Sequence, residues 1–144
     1  MRVHDDWLLT PQRAAVHLPT ATAVVADLHL GYGEARRARG EAVPVPALTT
    51  CLAPLATLAA TAAVRRLVIA GDLFEDGCSE QLTGELLSWA AAVGLEITAV
   101  VPGNHDRHPE RSAGRLPLRP EGVCLGEWHI VHGDGELPAG AVMH

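Results

Sequence analysis

Four short apolar runs punctuate this chain, and each one stops at a cluster of polar residues. Ala23-Val24-Val25-Ala26 leads into Asp27-Leu28-His29, and Leu67-Val68-Ile69-Ala70 leads into Gly71-Asp72. Ile97-Thr98-Ala99-Val100-Val101 leads into Gly103-Asn104-His105-Asp106, and Trp128-His129-Ile130-Val131 leads into His132-Gly133-Asp134. Runs of this length, rich in β-branched residues, read as buried strands. Helical patterns separate them. Residues 34–39 form a short basic stretch. Residues 47–64 are Ala/Leu-rich, with Pro54 dividing or kinking the helix. Residues 79–93 carry Leu82, Leu86, Trp89 or Ala90, and Val93 at helical spacing, with Ser79 as the N-cap and Gly94 as the stop. Before the first run, Leu8-Leu9 and residues 14–18, separated by Thr10-Pro11-Gln12, read as a hairpin. Strand, helix, strand in series implies an α/β chain with a mostly parallel sheet and helices packed on it. Residues 109–122, rich in Pro, Gly and Arg, read as a surface loop.

In an open α/β sheet, ligands bind at the rim formed by the carboxyl ends of the strands. All four polar clusters follow strands, so they are expected to converge there. Asp27, His29, Asp72, Asn104 and His132 together offer carboxylate oxygen, amide oxygen and imidazole nitrogen. That donor set suits manganese, iron, zinc or nickel better than an oxygen-only calcium or magnesium site. Alternate residues of an extended segment point the same way, so Asp27 and His29 would reach one ion. Asp72 has two oxygens and would bridge a second ion, and Gly71 before it permits a close backbone approach. Asn104, the only asparagine in the chain, would give a neutral oxygen to the second ion. Two such ions clamp a phosphoryl group and hold a hydroxide between them as nucleophile. His105 would stand free of metal as general acid on the leaving oxygen, oriented by Asp106.

Other chemistries find no residues to carry them. All 11 basic residues are arginine, which removes both the P-loop lysine and Schiff-base catalysis. Ser79, Ser88 and Ser112 lie in no nucleophile elbow and beside no histidine. Cys51, Cys78 and Cys124 fit neither a disulfide framework nor a C-x-x-C metal knuckle, and are expected as buried, reduced thiols. The net charge of −6 argues against a general nucleic-acid coat. No apolar run approaches the roughly 18 residues of a membrane span, and the first residues lack a secretory pattern, so the expectation is a cytoplasmic protein without a membrane partner. The length of 144 residues, 48% of them hydrophobic, fits one domain.

The ordered set Asp27-x-His29, Gly71-Asp72, Gly103-Asn104-His105-Asp106 and His132-Gly133 resembles the calcineurin-like metallophosphoesterase family. The phrases VVADLHLGYGEARRARGEAVP, GDLFEDG and GNHDRH resemble its small prokaryotic branch, which includes DNA-ligase-associated phosphoesterases. The resemblance implies a sandwich of two mixed β-sheets flanked by helices. It places Asp27, His29 and Asp72 on a first divalent ion, and Asp72, Asn104 and His132 on a second, with manganese the first choice of metal. It implies hydrolysis of a phosphodiester, a nucleic acid or nucleotide among the candidates, and a functional association with a DNA ligase or helicase. The family pattern closes with a Gly-His-x-His segment, whereas only 12 residues follow His132. The expectation is therefore one domain over residues 1–144 that is incomplete at its C-terminal strands, with His144 either the first histidine of that segment, and so a metal ligand, or the residue just before it.

Taken singly, these pairs are ordinary turns; their joint order after four strands carries the reading. Two rivals stand beside the phosphodiesterase: a noncatalytic remnant that binds phosphate or a partner protein, and a phosphomonoesterase of the same fold. Arg36 and Arg37 would grip substrate phosphate, although an exposed helix face with Arg39 explains them as well. Asp134 would support a ligand histidine or cap a loop. His4 and His17 read as surface or hairpin positions, His129 as a strand residue and His108 as exposed. The tryptophans read as core, with Trp7 at the hairpin surface.

Overall fold

The computed structural model describes residues 2–28, 30, 40, 48–61, 64–71, 73, 80–102 and 116–131. The chain opens with a hairpin of β1 (Trp7–Leu9) and β2 (Ala15–His17), with Trp7 opposite His17. Its turn closes because Pro11 presets one backbone angle and Arg13 takes a left-handed φ of 61°. Arg13 N donates to the Thr10 carbonyl at 3.1 Å, and Thr10 N donates to the Ala14 carbonyl at 3.0 Å.

Strand β3 (Thr22–Val25) pairs antiparallel with β2, and then β4 (Arg66–Ala70) and β5 (Glu96–Val101) add in parallel. The sheet order is β1-β2-β3-β4-β5. Between β3 and β4 lie α1 (Leu48–Cys51) and α2 (Ala53–Thr61). The expected division falls at Leu52, just before Pro54. Proline has no N–H to donate and its ring crowds the preceding turn. The Leu52 carbonyl instead accepts from both Leu55 N and Ala56 N, at 3.0 and 3.1 Å.

Between β4 and β5 lies α3 (Glu80–Val93). Thr83, Leu86, Trp89 and Ala90 form its buried stripe at helical spacing. Gly94, at φ 79°, ends the helix. Leu95 N bonds the Ala90 carbonyl at 2.9 Å and Gly94 N the Ala91 carbonyl at 3.3 Å, the double closure of a Schellman motif. A Cβ on Gly94 would meet nothing within 4 Å. Gly94→Ala is therefore expected to cost only the left-handed backbone penalty, about 1 kcal/mol. Urea denaturation should show a lowered midpoint with an unchanged slope.

The helices cover one face of the sheet. Leu52, Leu55, Leu58, Leu86, Trp89 and Ala90 cluster with Val16, Ala23, Val25, Leu67, Ile69 and Val100. The alternate residues Val68, Ala99 and Val101 are also fully buried, as strands covered on both faces require. The second layer is a pair of antiparallel strands, β6 (Val123–Leu125) and β7 (Trp128–Ile130). The Trp128 ring stands edge-on to Trp7 at 5.8 Å and to His4 at 4.8 Å. Its Nε1 donates to Asp6 Oδ2 at 3.3 Å. This two-layer arrangement agrees with the expected α/β sandwich.

Several expectations change. The fourth run joins the small second sheet and not the parallel one, because β6, an unrecognised strand just upstream, pairs with it first. Residues 116–119, expected in a surface loop, run parallel beside β5. Val100 N donates to the Pro117 carbonyl at 2.9 Å, Arg119 N donates to the Val100 carbonyl at 2.8 Å, and Leu116 is buried. Cys51 and Cys124 are exposed, the first on a short solvent-facing helix and the second on a two-stranded sheet. Trp7 and His17 are buried under the second layer. His17 Nδ1 is satisfied there by Thr20 Oγ1 at 2.8 Å. Residues 34–39, Ser79 and Cys78 lie outside the described residues. No helix among the described residues is long and apolar enough to cross a membrane.

Candidate metal centre

The parallel strands β3, β4 and β5 end side by side, with Val25 level with Ile69 and Ile69 level with Val100. The loops that follow β3 and β4 stay tied beyond the strand ends. Asp27 N donates to the Gly71 carbonyl at 3.0 Å, and Leu30 N donates to the Leu73 carbonyl at 2.8 Å. Leu30 and Leu73 are buried, at 3% and 0% exposure. They act as apolar anchors that fix the far end of each loop. The backbone at Asp27 and Leu30 is thus held to that at Gly71 and Leu73 by two hydrogen bonds, with both leucines buried. His29 and Asp72 themselves fall between those ties and outside the described residues.

Asp27 is exposed and has φ of 56°. The left-handed region is uncommon for a residue with a side chain, and Asp and Asn tolerate it best. The backbone at Asp27 is therefore not extended as the sequence pattern suggests. The chain turns left-handed at Asp27, and the turn sets the direction of its side chain. Strain of this kind collects where a site needs a particular side chain in a particular place. No described residue hydrogen-bonds or ion-pairs with the Asp27 carboxylate. Gly71, at φ 98°, adopts a conformation that suits glycine and lets the β3 loop approach its carbonyl.

The third cluster leaves the same rim. Beyond Val101 and Pro102 the sequence carries Asn104, His105 and Asp106, and Leu118 pairs in parallel with Val100 further along the chain. His132 follows β7, a strand of the second sheet, by two residues in sequence. The rim rule for parallel strands therefore does not extend to that strand. Asn104, His105, Asp106, His132, His144, Arg36 and Arg37 lie outside the described residues. Among the described residues, no three His, Cys, Asp or Glu side chains gather as a metal-sized group. Of the expected ligands, the structure places Asp27 and the backbone on both sides of His29 and Asp72.

Residues 21–139 match a family model described as calcineurin-like phosphoesterase. The crystal structure of Pseudomonas putida nuclease MPE resembles this chain with a TM-score of 0.66 and 18% identity. The match covers 94% of this chain, which spans 64% of the length of that one. At that identity the likeness is one of fold. A search of curated protein sequences finds no match.

Proposed function

Because this chain belongs to the calcineurin-like phosphoesterase family, we propose that it carries the metal-dependent phosphodiesterase machinery of that family. The observation that best supports this is the pair of backbone ties, Asp27 N to the Gly71 carbonyl and Leu30 N to the Leu73 carbonyl. They hold together the two loops that carry the proposed ligands Asp27, His29 and Asp72. An exposed carboxylate at Asp27 fits a cation site, and so does the mixed oxygen and nitrogen donor set. Asp27, His29 and Asp72 would hold one divalent ion, and Asp72, Asn104 and His132 a second, with His144 as a further donor. Manganese, or iron, zinc or nickel in its place, would supply Lewis acidity and an acidified water at such a site.

The remaining work falls to the chain's own side chains. His105 donates its proton to the departing ester oxygen, so the leaving group need not depart as an alkoxide. The role proposed for Asp106 is to orient and charge the His105 imidazole. Arg36 and Arg37 position the substrate phosphate. A phosphodiester, nucleic acid or nucleotide, is preferred over a monoester for two reasons. One is the branch that the sequence resembles, and the other is that the similar fold belongs to a nuclease.

Mn²⁺-dependent turnover of bis(p-nitrophenyl) phosphate, compared with p-nitrophenyl phosphate, tests the reading. Faster hydrolysis of the diester supports it, the reverse preference indicates a phosphomonoesterase, and no turnover with phosphate still bound indicates a noncatalytic binder.

Asp27→Asn separates metal binding from folding. Asparagine tolerates the left-handed backbone as well as aspartate does, so stability without metal should stay within about 0.5 kcal/mol of native. Native protein at a Mn²⁺ concentration of ~100 Kd should gain about 2.7 kcal/mol. The variant should lose most of that gain. Thermal melts with and without Mn²⁺ read both quantities.

A further inference from the structure

The geometry points to Cys124 as a nucleophilic thiol, activated by His129 and open to modification by small electrophiles such as peroxide. Cys124 on β6 and His129 on β7 are direct cross-strand partners. Cys124 Sγ lies 3.7 Å from His129 Nδ1. On the other side of the ring, Nε2 lies 3.0 Å from the Glu121 carbonyl oxygen. A carbonyl oxygen only accepts, so Nε2 carries the hydrogen and donates it. In the neutral ring, Nδ1 is then left with its lone pair facing the thiol.

Gly122 makes room for this arrangement. A Cβ there would lie 2.7 Å from His129 Nε2 and 2.5 Å from the Ile130 carbonyl oxygen. The imidazole therefore sits against bare backbone, fixed by its hydrogen bond to Glu121. Nucleophile, base and orienting acceptor stand in the order that cysteine–imidazole catalytic groups use. Cys124 is exposed, so a reagent in solution reaches it. Cys51 is exposed too, but no described histidine stands within hydrogen-bonding reach of its sulfur, which makes it an internal control. The inference does not depend on the phosphoesterase reading.

The chemistry balances within the pair and its reagent. The thiol proton passes to Nδ1. Sulfur then attacks one peroxide oxygen as the O–O bond breaks, and the imidazolium proton goes to the departing hydroxide. Cysteine is oxidised by two electrons to the sulfenic acid, and hydrogen peroxide is reduced to water. With iodoacetamide the S–C bond forms as iodide leaves, and the ring releases its proton to solvent.

The test measures site-by-site alkylation of the intact chain by limiting iodoacetamide at neutral pH, read by mass spectrometry. Cys124 should react at least about tenfold faster than Cys51. His129→Gln keeps a polar acceptor but no base, and should bring the two rates to within about threefold. Free imidazole should restore part of the lost rate in His129→Gly. A dimedone adduct after peroxide treatment should map to Cys124 before Cys51. Equal rates for Cys124 and Cys51 in the native protein would overturn the proposal, and so would a His129→Gln protein that reacts as fast as native.

Discussion

His105→Ala is expected to lower hydrolysis of a dinucleotide by about 10²–10⁴-fold, the contribution typical of a positioned general acid. The loss should depend on the leaving group. An alkoxide leaving group needs a proton as the ester bond breaks, whereas p-nitrophenolate departs readily without one. The same variant should therefore lose far less on bis(p-nitrophenyl) phosphate. Mn²⁺ binding should be unchanged, because His105 is assigned no metal. The ratio of kcat/KM between the two substrates, in native and variant protein, reads the effect directly. Equal losses on both substrates would instead make His105 a ligand or a structural residue.

Gly122→Ala is expected to be strongly destabilising. Gly122 sits at φ 94°, and its new Cβ would lie 2.5 Å from the Ile130 carbonyl oxygen and 2.8 Å from Val131 Cγ1. The left-handed backbone costs about 1–2 kcal/mol, and forcing extra volume against packed backbone costs about 1–3 more. A sum of about 3 kcal/mol would lower Tm by about 10 °C for a chain of this size. Backbone cannot move aside as a side-chain tip can, so β7 would have to separate from the turn before β6. Trp128 reports the event, since its ring is held by Trp7 and Asp6. Its fluorescence should shift to the red in the variant. Gly126→Ala is the control. Gly126 also has positive φ, at 62°, but its Cβ would meet nothing closer than 3.8 Å. It should cost only about 1 kcal/mol.

The parts of this structure that were legible in sequence are those set by local chemistry. The β-branched runs after residues 22, 66 and 96 became β3, β4 and β5, because such runs suit a sheet covered on both faces. Pro54 divided its helix and Gly94 ended another, each by a backbone property that needs no tertiary partner. What escaped was decided between distant segments. Val123, Cys124 and Leu125 form a strand of three residues, too short to show a period, and its pairing captured β7 from the main sheet. His17 is buried because the second layer lies over it, with Gly126 close by. Leu116 and Leu118 were hidden in a stretch of Pro, Gly and Arg, and their register beside β5 comes from hydrogen bonds to Val100. At the proposed site, the sequence order named the candidate loops. It did not foresee the left-handed turn at Asp27, since aspartate at that position is equally compatible with an extended chain.

The most direct test of the metal centre is the stoichiometry of Mn²⁺ bound by the 144-residue chain at equilibrium, for native protein and for Asp72→Asn. If the tied loops after β3 and β4 share Asp72 as a bridge, native protein should bind Mn²⁺ and the variant should bind it at least about tenfold more weakly, with its circular dichroism unchanged. Undiminished Mn²⁺ binding by a folded Asp72→Asn protein would contradict the account, because the metal would then be held somewhere other than these two loops.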